Sequence, residues 1–337
     1  MNAIVYTRKG RSAPFWLAEV PKPEPKQDQV LVRVHAAAVN ALDYRRLEGV
    51  RLEAATEPGG PGRGFKMLGA DIAGRVEAVG AAVTQFAPGD AVFGVTAGST
   101  GGFAEYACAP EGRLARVPAG LSFEAAAAVP TASMTALQAL RDKGRIRAGQ
   151  KVLVNGASGG VGTFAVQLAK SFGADVTAVC GARNLDLARS IGADLTIDYR
   201  QEDFTRSGRR YDLILGVNGY HPIRDYRRAL DAGGRYLAIG GTMRQILEGA
   251  LLGPVLSLAG SRKSGFMGIA KPRQKDLVFV SELLEGGEVT PVIDRVYPLR
   301  DAVVALRYLV DEHAAGKVVL TVCSGQACGP GQAGERS

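Results

Sequence analysis

The eight residues NGASGGVG, 155–162, constrain this chain more than any other stretch. They follow directly on the apolar run KVLV and lead into Val161 to Phe172, whose apolar spacing is helical. A strand that turns into a helix through small residues is the entry unit of a dinucleotide-binding fold. There, glycines make the tight turn, let the backbone approach a pyrophosphate, and let the helix pack against its strand. Ala157, Gly159 and Gly162 occupy the three glycine places of that fingerprint, with Ser158, Gly160 and Val161 between them. The first N–H groups of the helix have no intrahelical partner and suit an anion. A tight turn without a ligand is the plainer alternative, and the strand–turn–helix context argues against it.

The segments that follow keep the same rhythm. DVTAVC, DLTID, YDLILGV and RYLAIGG read as strands, with helices expected over Leu185 to Ile191 and Tyr226 to Leu230. Alternation of this length predicts a doubly wound parallel sheet with right-handed crossovers, an α/β fold. Upstream of Ser122, which is placed to cap a helix before an alanine run, the pattern is different. QVLVRVH (29–35) and Ile72 to Val79 alternate as strands, and Gly69, Gly74, Gly80, Gly89 and Gly94 punctuate a curved β region. Pro21, Pro23 and Pro25 form a stiff connector, and EPGGPGRG (57–64) reads as a mobile loop. Downstream, a helix over Asp276 to Glu285 and strands in PVIDRVYPL and KVVLTV follow, and residues 325–337 carry no core pattern and are expected to be a disordered tail.

The end of the second strand of the alternating region selects the dinucleotide. An acidic residue there would bind a ribose 2′-hydroxyl. The chain instead reads Val-Cys-Gly181-Ala182-Arg183-Asn184, with no acid and an arginine available to a 2′-phosphate. NADPH is therefore expected over NADH, against the alternative that Arg183 is a surface residue at a helix start.

Composition closes off other classes. A chain of 337 residues with 46% hydrophobic and 22% charged residues folds as more than one globular domain. The net charge of +8 is scattered rather than gathered in a stripe, so nucleic-acid binding is not expected. Cys108, Cys180, Cys323 and Cys328 form no CxxC pair. The longest apolar stretch, Ile246 to Gly260, is interrupted by Glu248 and Pro254 and falls short of the ~20 residues a membrane span needs. No signal-peptide pattern opens the chain, and a soluble cytoplasmic protein is expected. Leu251 to Ala259 could cover a substrate, form a dimer contact or lie in the core.

Several further segments, in order, resemble the medium-chain dehydrogenase/reductase superfamily over nearly the whole chain. They are GADIAGRVEAVG (69–80), PGDAVFG (88–94), GGFAEY (101–106), NGASGGVG, GADLTIDYRQEDF (192–204) and TPVIDRVYPLRDAVVALRYL…GKVVLTV. The resemblance is to the zinc-free quinone oxidoreductase branch. It implies a GroES-like, β-barrel-type catalytic domain made of residues 1–123 and 268–324, a Rossmann domain over 124–267, and a homodimer. It also implies that Asn40 and Thr131 lie beside the nicotinamide, Tyr199 near the adenosine phosphate, and Lys317 on the cofactor side. Val217, Gly219 and Gly240-Gly241 fall on the nicotinamide-side loops; the run Gly216-Val217-Asn218-Gly219 departs from the Asp-containing pattern of relatives. Ser-Thr is replaced by Gly181-Ala182, which removes two hydroxyl partners of a 2′-phosphate.

Zinc-dependent relatives place Cys at position 40 and His-Glu at 70–71, where this chain has Asn40 and Ala70-Asp71. Catalytic zinc takes three N, S or O protein ligands, and His35, His221 and His313 are dispersed, so no metal is expected. Without a Lewis acid, hydride addition to a quinone or an α,β-unsaturated carbonyl is easier than alcohol oxidation, because the acceptor spreads the incoming charge. The proton donor is Tyr44, Asp43 or solvent; a Tyr44 that only packs is the alternative. Val50 stands where enoyl-thioester reductases often carry Tyr, which counts against thioester substrates. An NADP-dependent alcohol/ketone dehydrogenase and a low-turnover NADPH-binding sensor are the competing readings.

Overall fold

A computed structural model describes residues 1–7, 12–45, 51–54, 65–258, 260–312 and 314–322. The expected loop 57–64, Val50, Ala259, His313, Cys323, Cys328 and the expected tail 325–337 lie outside the described residues.

The alternating region forms a six-stranded parallel sheet. Its spatial order is Leu195–Asp198, Asp175–Cys180, Lys151–Asn155, Tyr211–Gly216, Leu230–Ala238 and Lys263–Phe266. In chain order this is 3-2-1-4-5-6, the dinucleotide-binding arrangement, with its switch point beside Lys151–Asn155. Both faces are buried, which is why these strands are continuously apolar. Val152 and Val154 point into the core shared with Phe164, Val166 and Leu168 of the helix Gly160–Ser171. Leu153 points the other way, to Ile214, Tyr226 and Tyr236.

The strands from both chain ends form a seven-stranded sheet. Gln29–Val39 is its centre, pairing with Asp71–Val79, with Tyr106–Pro110 and with Lys317–Thr321. The strand expected over 29–35 runs on to Val39, because Ala36 and Ala38 turn one face into the core under the parallel sheet. A smaller sheet contains Ser12–Glu19 and Asn2–Tyr6. Between the sheets, Phe15, Leu68 and Phe103 close the barrel core.

Ser122 caps the helix Phe123–Ala127 as expected, its Oγ accepting the Ala125 N–H at 3.1 Å. One expectation needs correction and one open alternative narrows. The helix expected over Tyr226 to Leu230 runs Ile223–Arg228, opened by Pro222, and Leu230 already begins a strand. Pro at a helix start has its φ preset and no N–H to lose there. Of the three alternatives for the run from Leu251, core does not hold for Leu251, Leu252, Val255 and Leu258, which are exposed, while Leu256 packs against the core around Tyr226.

The helix Gln274–Glu285 is fastened on both sides by glutamines that each bind the N–H and the carbonyl of one flanking residue. Gln138 accepts from Lys271 N–H at 3.0 Å and donates to its carbonyl at 2.7 Å. Gln167 does the same to Thr290, at 2.8 and 3.0 Å. These clamps tie the returning chain to the dinucleotide-binding side before it enters the barrel.

Candidate active site

The loop after Lys151–Asn155 turns on Gly156, whose φ is +88°. A Cβ there would sit 2.7 Å from the Asn218 N, and one on Gly162 would sit 2.1 Å from the Gly156 carbonyl oxygen. Backbone thus meets backbone on both sides of the turn, and no side chain fits. Gly159 starts the helix in an extended conformation with no clash around it, and no side chain among the described residues caps that end. The open space and unpaired N–H groups suit a phosphate. Gly156, which makes the turn, stands one residue before the Ala157 assigned to the first glycine place.

Asn155 fixes the next loop. Its Nδ2 donates to the Tyr226 hydroxyl at 2.8 Å and to the Gly219 carbonyl at 3.2 Å, and its own carbonyl accepts from Val217 and Asn218. Val217 is held there, half-buried. Gly240 approaches it so closely that a Cβ would lie 2.8 Å from the Val217 oxygen, and Gly241 has φ +90°. Burial pushes the Tyr226 hydroxyl up to about 12, so it stays protonated and donates to Gly219 at 3.0 Å.

At the other end of the loop, Asn184 Nδ2 donates to Ser158 Oγ at 3.1 Å. Arg183 is exposed and donates to the Glu312 carbonyl at 2.8 Å. Tyr199, also exposed, brings its ring edge 3.5 Å from where a Gly181 Cβ would be. The Arg200 guanidinium lies 5.8 Å from that ring centroid. Ser158, Arg183, Asn184 and Tyr199 therefore gather around Gly181, with Arg200 as a second cation that the sequence reading missed.

A second group lies where the barrel meets the glycine loop. Lys317 passes beneath the loop, its Cδ 2.9 Å from a Gly160 Cβ position, and a bridge joins Gly159 to Gly316. Its buried Nζ donates to Asn40 Oδ1 at 2.6 Å and stands 3.8 Å from Asp71 Oδ2. Asn40 Nδ2 donates to Asp71 at 3.0 Å, and the Thr131 hydroxyl donates to Asp71 at 2.5 Å. Burial lowers the Lys317 pKa while Asp71 opposes that shift; burial likewise raises Asp71, with Lys317 and its hydrogen bonds opposing. Asn40, Thr131 and Lys317 are thus brought together by Asp71, which apolar periodicity in strand 71–79 gives no means of singling out.

Tyr44 does not join this group, and Asp43 borders it: its carboxyl holds the Asn40 backbone and feels the charges of Asp71 and Lys317. Asp43 is 2% exposed, and its oxygens accept the N–H groups of Asn40 at 2.9 Å and Gly69 at 3.0 Å. It pins two turns and its carboxyl is pushed by burial up to about 6. Tyr44 is half-buried on the short helix Ala41–Arg45, and among the described residues its hydroxyl makes no hydrogen bond.

Residues 26–119 match the family described as alcohol dehydrogenase GroES-like domain, and 191–320 match the one described as zinc-binding dehydrogenase. The chain is 34% identical to the chloroplast envelope quinone oxidoreductase homolog of Arabidopsis thaliana over 332 residues, covering 95% of this chain and 98% of the relative. It belongs to the medium-chain dehydrogenase/reductase superfamily, in its quinone oxidoreductase branch. It is also 33% identical to the NADPH-dependent alkenal/one oxidoreductase of the same plant, over 95% of this chain and 79% of the relative. Among solved structures, the quinone oxidoreductase from Coxiella burnetii superposes with a TM-score of 0.80 at 28% identity, covering 96% of this chain and 99% of the other.

The zinc in one family description does not fit the residues here. Asp71 already takes hydrogen bonds from Thr131 and Asn40, and a metal ion on it would sit against the Lys317 ammonium. Among the described residues no group of three or more His, Cys, Asp or Glu is arranged to hold a metal. His35 stacks on Phe123 and His221 packs against Phe204, so both histidines serve packing.

Proposed function

We propose that the protein is a zinc-independent, NADPH-dependent oxidoreductase that transfers a hydride to a quinone or an α,β-unsaturated carbonyl. The observation that carries this reading is the junction at Lys317. It joins a dinucleotide loop to a polar group, Asn40, Asp71 and Thr131, at the position where zinc-dependent relatives hold their metal. The names of the relatives, quinone oxidoreductase and alkenal/one oxidoreductase, agree with it.

Bound NADPH supplies the hydride. The loop residues Ala157 to Gly162 and the helix start hold the pyrophosphate. Ser158, Arg183, Asn184 and Tyr199 hold the adenosine end, the arginine meeting the 2′-phosphate. Val217, Gly240 and Gly241 line the nicotinamide side by close backbone approach. Asn40, Thr131 and Lys317 would flank the reacting end, and Tyr44, whose hydroxyl makes no hydrogen bond among the described residues, or solvent would protonate the product. Asp43 is spent on backbone N–H groups and is a poor donor.

The same reading divides the chain into a barrel domain of residues 1–123 and 268–324 around a dinucleotide domain of 124–267, in keeping with which sheet each strand joins. It makes the protein a cytoplasmic homodimer. Met243, Leu247, Leu251, Leu252, Val255 and Leu258 are exposed beside Lys263–Phe266, the last strand of the parallel sheet. An apolar face next to an open sheet edge is suited to a second copy. Cys108 and Cys180 are free thiols, consistent with a reducing compartment. No helix among the described residues is long and apolar enough to cross a membrane.

The test is steady-state oxidation of NADPH and of NADH with a panel of quinones and enones, with and without a chelator. Chelator-resistant turnover that prefers NADPH supports the reading. Reversible loss of turnover in chelator, or alcohol-dependent reduction of NADP as the only activity, overturns it.

A further inference from the structure

Asp71 has no role in the reading above beyond contact, yet it is the most heavily engaged polar side chain at the site. It is fully buried. Oδ1 accepts the Thr131 hydroxyl at 2.5 Å, and the Thr131 N–H approaches both oxygens at 3.2 Å. Oδ2 accepts from Asn40 at 3.0 Å and faces the Lys317 ammonium at 3.8 Å.

Two consequences follow from donor counting. A threonine hydroxyl has one proton, and here it is spent on a carboxylate that can only accept while ionised, so the outward side of Thr131 Oγ1 carries lone pairs alone. The Asn40 amide is equally fixed. Its nitrogen donates to Asp71 and to the Ala38 carbonyl at 3.3 Å, and its oxygen accepts from Lys317. Flipping the amide would set N–H against ammonium. Asn40, Asp71 and Lys317 are all buried, and Thr131 is the one half-exposed member, so it forms the face of this group that a ligand meets.

We infer that Asp71 is a positioning residue that holds Thr131 as an acceptor-only surface toward the nicotinamide ring, so that the site favours the oxidised, cationic ring over the reduced, neutral one. The inference rests on the cofactor reading given above. When the C4–H bond of the reduced ring breaks and its electron pair leaves with the hydrogen for the acceptor, the ring becomes a cation. A fixed electronegative surface stabilises the charge that develops. Lys317 behind Asp71 tempers the effect.

The experiment is equilibrium binding of NADPH and NADP⁺ to the full chain by calorimetry, without substrate, for wild type and for D71N, T131V, T131S and K317M. The readout is the ratio of the two dissociation constants, which a general loss of packing leaves unchanged. In D71N the amide can donate to Thr131 and turn its hydroxyl outward. NADP⁺ affinity is expected to fall about five- to tenfold more than NADPH affinity, since loss of one nearby charge in a partly buried site is worth on the order of 1 kcal/mol. T131V shifts the ratio the same way by less, T131S keeps it, and K317M shifts it the opposite way. Should D71N not fold, T131V against T131S carries the test. A ratio unchanged in D71N and T131V, with both nucleotides still bound, overturns this inference alone. A wild-type protein that binds neither nucleotide overturns the cofactor reading and the inference with it.

Discussion

Asp43 makes the stability of this protein depend on pH in a direction unusual for an aspartate. Burial raises its carboxyl from 3.8 to about 6 in the folded protein, despite the two backbone N–H groups it accepts. Between those values the folded chain holds a proton that the unfolded chain has released. Unfolding free energy from this group therefore falls as pH rises, by about 3 kcal/mol in all at 1.36 kcal/mol per unit, and is level above pH ~7. About 2 kcal/mol of that change falls between pH 4.5 and 7.5. D43N removes the titration. Its single amide oxygen cannot serve both Asn40 and Gly69, so one N–H is orphaned, at a pH-independent cost of about 1–3 kcal/mol. Subtracting D43N from wild type cancels the titrating groups that do not feel Asp43; the Asp71 charge, which raises the Asp43 carboxyl, and the Lys317 charge, which lowers it, remain in the difference. Urea unfolding at the two pH values should show wild type gaining about 2 kcal/mol on D43N on going to pH 4.5. A difference between the two proteins that does not change with pH refutes the argument, and one that moves the other way shows that Asp43 is stabilised as the anion.

Other outcomes follow from the geometry. G162A puts a Cβ 2.1 Å from the Gly156 oxygen, and should cost about 1–3 kcal/mol in thermal unfolding and abolish NADPH binding by calorimetry. R183A should reduce the preference for NADPH over NADH in kcat/KM about tenfold, equivalent to ~1.4 kcal/mol, with kcat on NADH unchanged. Y226F removes the hydroxyl between Asn155 and Gly219 and should lower stability by about 1–2 kcal/mol, seen in urea midpoints. L251K with L258K, at side chains 65% and 88% exposed, should turn a dimer into a monomer in sedimentation without loss of folding. A monomeric wild type contradicts the homodimer.

The parts of the fold written in local chemistry were legible in the sequence. The glycine loop was readable because KVLV, the small residues and the helix spacing are contiguous, and Ser122 because a cap is a local hydrogen bond. The helix at Ile223–Arg228 starts three residues and ends two residues before the expected Tyr226 to Leu230, since Pro222, a start signal in plain view, sets its first turn. Leu251 to Ala259 could be read as substrate cover, dimer contact or core, since hydropathy carries no sign of which face a helix shows its own fold. Asp71 was in view as a residue standing where zinc-dependent relatives carry His-Glu, but its role, like that of Arg200, was out of reach for a different reason. Asp71 depends on Thr131 and Lys317, far from it in the chain, and such pairing leaves no periodic trace; Arg200 follows Tyr199 directly, and only the fold brings Tyr199 beside Gly181. The resemblance supplied Asn40, Thr131 and Lys317 separately; the structure shows that they form one network.

The central claim is hydride transfer from NADPH to an unsaturated acceptor without a metal. It is tested most directly by incubating the protein anaerobically with an enone and NADPH deuterated at C4, in the presence of a chelator, and weighing the saturated product. The account predicts one deuterium on carbon for the matching C4 label. A saturated product that carries no deuterium with either C4 epimer, or no product until metal is added back, would contradict it.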